Sequence, residues 1–438
     1  MSVAVEKAQF IEAIRTAEVV SSSGRLLNFR GSALEAVGVN AKLGELCVVK
    51  KDGRKNNLLA EVVGFENKKL LLMPLGDTSG ISPGAQVFAA GKFPGILCSS
   101  ELLGRVIDPL GNPLDDGPEV KGKYRNYWSQ EINPFNRKKI ESICETKIPA
   151  IDGFITLGLG QRVGIFAGSG VGKSTLINNL VSGHAADINV VALIGERGRE
   201  VTEFIQDVLG EEGLKNSIVI VASAELPALL RVYAAISATT IAEYFSERGD
   251  SVLMTMDSIT RLAMAQREVG LAAGEPPTSK GYTPSCFNLL PKIVERAGAF
   301  RSGGSITAYY TVLVEGDDFN EPIADHMRAV LDGHIVLDRE LASQGKYPAI
   351  NLLDSVSRIM PQLISKSESE LVRALQSIHA LYESSKSMIH IGAYKKGEDE
   401  AIDRAISVEA KLIELIYGGQ KMDRSSTMQL LSELLLIN

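Results

Sequence analysis

Nine residues constrain this chain more than any others. AGSGVGKST, residues 167–175, follows directly on an apolar run, RVGIF, and opens a helix-like run, LINNLV. A strand that turns through glycines into a helix leaves the N–H groups of the turn and of the helix N-terminus pointing at one spot, with the positive end of the helix dipole behind them. Phosphate suits that spot. In such a turn Lys173 reaches the β and γ oxygens of a nucleotide and the Ser174 hydroxyl can ligate Mg²⁺. Gly168, Ser169, Gly170, Val171, Gly172, Lys173, Ser174 and Thr175 are therefore the predicted phosphate loop. Ala167 stands where the first glycine of such a motif usually stands, and its methyl is small.

Around that loop the chain alternates short apolar runs with helix-like segments, the pattern of a parallel sheet covered on both faces. RVGIFA, INVVALIG, SIVIVAS, SVLMTMD and SITAYYTVLV are the candidate central strands. SVLMTMDS is an apolar strand that ends in Asp257, followed by Ser258, and a carboxylate at the carboxyl end of a central parallel strand sits beside the phosphate loop, where it can hold Mg²⁺ through water. Taken alone, such an Asp is ordinarily a helix cap or turn residue. INVVALIGERGRE ends at Gly195-Glu196-Arg197. Attack of water on a γ-phosphate needs a group that orients and deprotonates the water, and Glu196 stands where it can act. Glu200, one helical turn later, is the competing carboxylate; it also reads as a first-turn helix acid, with Arg197 and Arg199 as ion-pair partners.

YPAINLLDSVSR, residues 347–358, supplies an aromatic, Tyr347, and an arginine, Arg358. The ring can stack on adenine, and an arginine set across a subunit boundary can stabilise charge on a transferring phosphoryl group. Spacing alone assigns neither role, because surface Tyr and Arg are ordinarily packing and salt-bridge residues.

With 438 residues against roughly 100–200 per domain, two or three domains are expected. Residues 1–20 form an expected N-terminal helical arm, with Val3, Phe10, Ile11 and Ile14 at near-helical spacing. Residues 21–95 carry β-rich runs such as GELCVVKK, LLAEVVGF and KKLLLMPL with turn residues between them, a small barrel. Residues 96–360 hold the parallel sheet. Residues 361–438 read as helices, from LVRALQSIHALYES and AIDRAISVEAKLIELIYGG. The net charge of −7 argues against a surface devoted to nucleic acid. Cys47, Cys98, Cys144 and Cys286 lie far apart with no CxxC pair, so neither a zinc site nor a disulfide framework is expected, and the compartment reads as reducing cytoplasm. Glu6, Lys7, Glu12, Arg15 and Glu18 interrupt what a signal core would need, and no run of 18 apolar residues occurs.

With these elements in place, the chain resembles the flagellar and type III secretion ATPases, relatives of the catalytic subunit of rotary ATP synthases. The resemblance is carried by FAGSGVGKST, LIGERGREV, MDSITRLAMAQRE, GEPPTSKGYTPS, LPKIVERAG, GSITAYYTVLVEGDD, ADHMRAVLDGHIVLDRELA and YPAINLLDSVSR. It implies an α/β fold: a RecA-like P-loop core with a parallel sheet, an N-terminal small β-barrel and a C-terminal helical domain. It implies ATP and Mg²⁺, a catalytic carboxylate at Glu196, an adenine-stacking aromatic at Tyr347, and an arginine finger at Arg358 supplied to the next subunit of a homohexamer. Residues 274–283 would face the ring's central channel. The implied partners are a stator-like regulator dimer bound through the N-terminal segment, a central stalk protein, the export gate and chaperone–substrate complexes. The implied place is the cytoplasmic inner face of the export apparatus, by peripheral membrane association, and EGDDFNEPIAD leans flagellar.

Three rivals remain. A nucleic-acid translocase on the same core predicts a basic or aromatic groove in the barrel, whereas residues 24–87 offer scattered charges and the aromatic pair Phe29 and Phe65. A non-catalytic nucleotide-binding subunit conflicts with the intact set Lys173, Glu196, Asp257 and Arg358. The ATP synthase catalytic subunit itself is disfavoured by Ser174 in place of Thr.

Overall fold

The computed structural model describes residues 23–51, 57–128, 133–183 and 186–437. The expected helical arm at residues 1–20 lies outside them. The chain divides into two compact units, with the boundary in the main chain after Pro94.

The first unit is a closed antiparallel barrel of β1 (Ser23–Arg30), β2 (Ala33–Val37), β3 (Leu46–Val49), β4 (Leu58–Glu66), β5 (Lys69–Pro74) and β6 (Gln86–Ala89), in the order β1-β2-β5-β4-β3-β6. Side chains alternate between faces along a strand. Leu34 and Ala36, Cys47 and Val49, Leu58, Ala60 and Val62, Leu70 and Leu72 accordingly turn inward to one core. Closure leaves no free edge to pair with another chain.

In the second unit a nine-stranded sheet carries β7 (Val106–Ile107), β8 (Arg162–Ala167), β9 (Ile188–Ile194), β10 (Ser217–Ala222), β11 (Ser251–Asp257), β12 (Ser305–Leu313), β13 (Gly333–Leu337) and β14 (Val356–Ser357), in the order β14-β13-β8-β12-β11-β9-β10-β7. The remaining strand is the short Gly298–Ala299, paired with β12. β7 to β13 run parallel, and β14 is antiparallel to β13. The five runs read as central strands are β8 to β12. Their residues are almost wholly buried because helices cover both faces of a parallel sheet. Arg162, at the start of β8, clasps Asp332 just ahead of β13 through Nε–Oδ2 at 2.8 Å and Nη2–Oδ1 at 2.9 Å, which fixes these two neighbours in register. The described residues between 108 and 161 hold turns and short elements rather than the βα alternation expected of the sheet region that begins at residue 96.

Helices α1 (Lys173–Gly183), α2 (Gly198–Glu203), α3 (Ala228–Ser246) and α4 (Ile259–Ala272) connect these strands. Among the short helices that follow is α5 (Arg339–Ser343). The C-terminal part holds α6 (Lys366–His390), opened by a capping box between Ser365 and Glu368, then α7 (Glu400–Tyr417) and α8 (Arg424–Leu434). The last has a weak apolar stripe and was not among the two helical runs read from the sequence. Val372, Leu375, Val408, Leu412, Ile416 and Leu431 join the same apolar core as Val163 and Ile165 of β8.

α3 is buried nearly all round, so the one carboxylate on its inner turns needs a partner. Arg296 meets Glu243 twice, at 2.7 and 2.6 Å, and donates as well to the Tyr127 carbonyl and the Thr240 hydroxyl. Both side chains are about nine-tenths buried. Glu243→Ala should therefore cost about 3–5 kcal/mol by stranding the guanidinium, while Glu243→Leu with Arg296→Met should cost distinctly less. Chemical denaturation of the nucleotide-free protein measures both; a single mutant as stable as wild type removes the pair from the fold's supports.

Candidate active site

β8 lies between β13 and β12, and all three end at one edge of the sheet. Ala167 is in register there with Leu313 and Leu337. It is the last residue of the strand and fully buried, which explains why alanine serves where glycine is usual. Beyond it the chain turns through Gly170 and Gly172 at φ 78° and 89°, where a side chain would be strained. Val171 between them is buried and anchors the loop. α1 then begins at Lys173 with its N-terminus facing the loop.

Neighbouring strands bring the carboxylates to the same edge. Asp257 ends β11, and Glu196 stands two residues past β9. Lys173 Nζ donates to Asp257 Oδ1 at 2.5 Å, and the Thr311 hydroxyl of β12 donates to the same oxygen at 2.7 Å. Lys173, Ser174, Glu196, Glu200 and Asp257 line one cavity of about 260 Å³. Its far wall is the turn of chain after α2, Phe204–Leu209, where the helix widens to a π-helical turn carrying Asp207.

Burial pushes the Glu196 carboxyl up to about 7, a hydrogen bond with Glu200 and the charge of Asp257 add to the rise, and Lys173 and Arg261 oppose it. That hydrogen bond, ahead of every other influence, lowers the carboxyl of the more exposed Glu200. The proton of this pair therefore resides on Glu196, and Glu200 accepts the hydrogen bond. Arg261 was not singled out from the sequence. It lies one helical turn past Asp257 on α4, its Nε is 3.3 Å from Glu196, and its stem crosses Gly195 so closely that a Cβ there would meet Arg261 Cδ at 2.8 Å. The signal was the spacing from Asp257 to Arg261 in MDSITR. Arg199, read as a partner of Glu200, pairs instead with Glu203 at 2.6 Å, the i,i+4 neighbour on its own helix.

Tyr347 flanks the other side of the loop. A Cβ on Gly172 would lie 3.0 Å from its ring. With Ile148, Pro149, Pro348, Ile416 and Gly419 it lines a slot of about 170 Å³, into which α1 turns Thr175 and Asn179 while turning Ser174 and Asn178 toward the carboxylates. A flat apolar group fits such a slot.

Arg358 is elsewhere. It follows β14, which pairs with the start of β13, and its N–H donates to the Asp332 carbonyl while its Nη2 donates to the Arg328 carbonyl at 2.8 Å. That is the amino edge of the parallel strands, opposite the edge where Lys173, Glu196 and Asp257 meet.

Three family models match this chain: the beta-barrel domain of the ATP synthase alpha/beta family over residues 30–91, the nucleotide-binding domain of that family over 147–357, and the T3SS EscN ATPase C-terminal domain over 364–435. The flagellum-specific ATP synthase of Bacillus subtilis is 47% identical over 411 residues, covering 93% of this chain and 94% of that protein. The one from Salmonella typhimurium is 45% identical over 421 residues, covering 93% and 92%. Among solved structures, the assembled ATPase EscN from the enteropathogenic E. coli type III secretion system superposes with a TM-score of 0.89 at 39% identity, covering 94% of this chain and 100% of that one. EscN in complex with its central stalk EscO gives 0.85 at 38%, with the same coverage.

A carboxyl held at about 7 in the fold, against an ordinary value of 4.5, binds more proton folded than unfolded between those limits. Its neutral form favours the fold below 4.5, and that contribution is lost as pH rises through 7. Glu196→Gln should thus melt above wild type at pH 8, with the gap closing at pH 5; thermal melts of nucleotide-free protein test it, and a pH-independent gap would refute the raised carboxyl.

Proposed function

This chain belongs to the ATP synthase alpha/beta family, among the flagellum-specific and type III secretion ATPases, and from that membership we propose that it drives protein export through a flagellar apparatus as a homohexameric ring hydrolysing ATP. One observation carries the ring: the loop, Lys173, Glu196 and Asp257 meet at the carboxyl edge of the sheet, while Arg358 stands at the amino edge of the same sheet. An arginine so placed completes a neighbour's site rather than its own. The flagellar assignment is supported by relatives of that name at 44–48% identity.

ATP lies with its phosphates on the N–H groups of residues 168–175 and its adenine in the Tyr347 slot. Lys173 releases Asp257 to neutralise the β and γ oxygens. Ser174 and Asp257 would hold Mg²⁺: a hydroxyl and a carboxylate are the hard oxygen donors it prefers, and among the described residues no cluster of three or more acids, His or Cys stands ready to cage a metal alone. When bound, that ion offsets phosphate charge. The water oxygen bonds to the γ-phosphorus as the bond to the ADP oxygen breaks, and the proton passes from water to Glu196, which must be ionised to take it. In the resting pair Glu196 carries the proton and Glu200 accepts the hydrogen bond from it.

The partners follow from the same family reading: a central stalk, supported by the EscN–EscO complex, and beyond it a stator-like regulator dimer, the export gate and chaperone–substrate complexes. No described helix is long and apolar enough to cross a membrane. The enzyme works at the cytoplasmic face of the export apparatus by peripheral association.

Lys173→Ala should abolish hydrolysis, and Glu196→Gln should keep ATP binding while losing about 10² or more in turnover. Phosphate release and nucleotide binding measure this; if Glu200→Gln shows the loss instead, the two carboxylates exchange roles. Arg358→Ala should bind ATP but lose about 10³–10⁵ in rate. Mixing it with Lys173→Ala should restore activity, because mixed rings hold interfaces with both groups intact; two dead mutants that remain dead on mixing would mean that the arginine acts in its own subunit or not at all, and would overturn the ring mechanism.

A further inference from the structure

Because β12, β8 and β13 are neighbours, the three loops that leave them emerge side by side. The middle one is the phosphate loop. The loop after β12 carries Asp317, held at φ 57°. After β13, the Asp338 carboxylate caps α5 by accepting from the N–H groups of Glu340 at 2.6 Å and Leu341 at 3.3 Å, which sets Arg339 at the first helical position. Arg339 Nε donates to Asp317 Oδ2 at 2.9 Å and Nη2 to Oδ1 at 3.4 Å. Its third nitrogen, Nη1, donates to the Ser169 carbonyl at 3.1 Å. One guanidinium therefore ties together all three strand-end loops.

Gly168 lies directly beneath this tie. A Cβ there would stand 2.4 Å from Asp317 Oδ1 and 2.6 Å from Arg339 Nη2. Unlike Gly170 and Gly172, Gly168 has no left-handed φ, so a side chain there would displace the tips of these two groups rather than strain the backbone.

Asp317 and Arg339 are roughly half-exposed, and an exposed ion pair adds little to global stability. Its leverage is local. In a trans peptide the Ser169 carbonyl and the Gly170 N–H point in opposite directions, so anchoring the carbonyl fixes where that donor points. Ser169 and Gly170 are themselves exposed and have little packing to hold them.

We infer that Asp317 and Arg339 are positioning residues for the nucleotide: they hold the outer limb of the phosphate loop in its receptive form. This rests on the reading of residues 168–175 as that loop. Arg339→Ala should raise KM and the dissociation constant for ATP about three- to tenfold, with kcat within about twofold of wild type. Because the pair is exposed, the melting temperature of nucleotide-free protein should stay put. Asp317→Ala should act the same way, and the double mutant should be no worse than Arg339→Ala, since both work through one contact. Steady-state kinetics, equilibrium ATP binding and thermal melts of the full chain read these quantities. Unchanged KM in Arg339→Ala, a rise that tracks a fall in melting temperature, or additive single mutants would each overturn the inference. Lys173→Ala separates the two failures. If it is inactive while Arg339→Ala keeps wild-type KM, the tie alone is wrong; if Lys173→Ala turns over normally, the phosphate-loop reading falls with it.

Discussion

The parallel run of the central strands is the constraint on which the rest depends. Strands that run the same way deliver their carboxyl ends to one edge. Residues as distant in sequence as Gly170, Glu196, Asp257 and Asp317 therefore leave strands or loops at that edge. Register does the fine placement: Ala167 lies opposite both Leu313 and Leu337, so the loops after all three strands start level. The bidentate clasp of Arg162 on Asp332 holds that register from the other end.

Charge then divides the labour at the edge. Lys173 and Asp257 satisfy one another at 2.5 Å, so each offsets the other's charge at that edge. Glu196 meets its nearest cation, Arg261 Nε, only at 3.3 Å. Burial and a hydrogen bond with Glu200 raise its carboxyl to about 7. The two acids of GERGRE look alike in sequence, but one is buried and raised while the other is more exposed and lowered.

The phosphate loop, the five central strands and the acids at their ends were legible because each depends on local pattern: glycines at a turn, continuous apolar β-branched runs, a polar residue where the run stops. Arg261, Arg339 and Asp317 were not singled out. Each reaches across to another strand's loop, and although the four-residue spacing from Asp257 sets Arg261 near the edge, the residues around an arginine do not name its partner. The same holds for Arg199, whose partner proved to be the acid four residues on rather than one residue on, because that neighbour lies on its own helix face. α8 was missed because its apolar stripe is short and broken by Ser and Thr, and its burial comes from contacts with the core through Leu431 and Leu434.

By itself the sequence determined that a phosphate loop stands between a strand and a helix, that the sheet is parallel, and that a β-rich unit precedes it and helices follow. These are properties of periods of two and 3.6 residues and of glycine's freedom, which are local. The tertiary structure alone decided that Arg358 stands at the opposite edge of the sheet from Lys173, that Asp317 and Arg339 meet above Gly168, and which of two neighbouring glutamates keeps the proton. Those are matters of distance and burial between residues far apart in the chain, and only the packed sheet sets them.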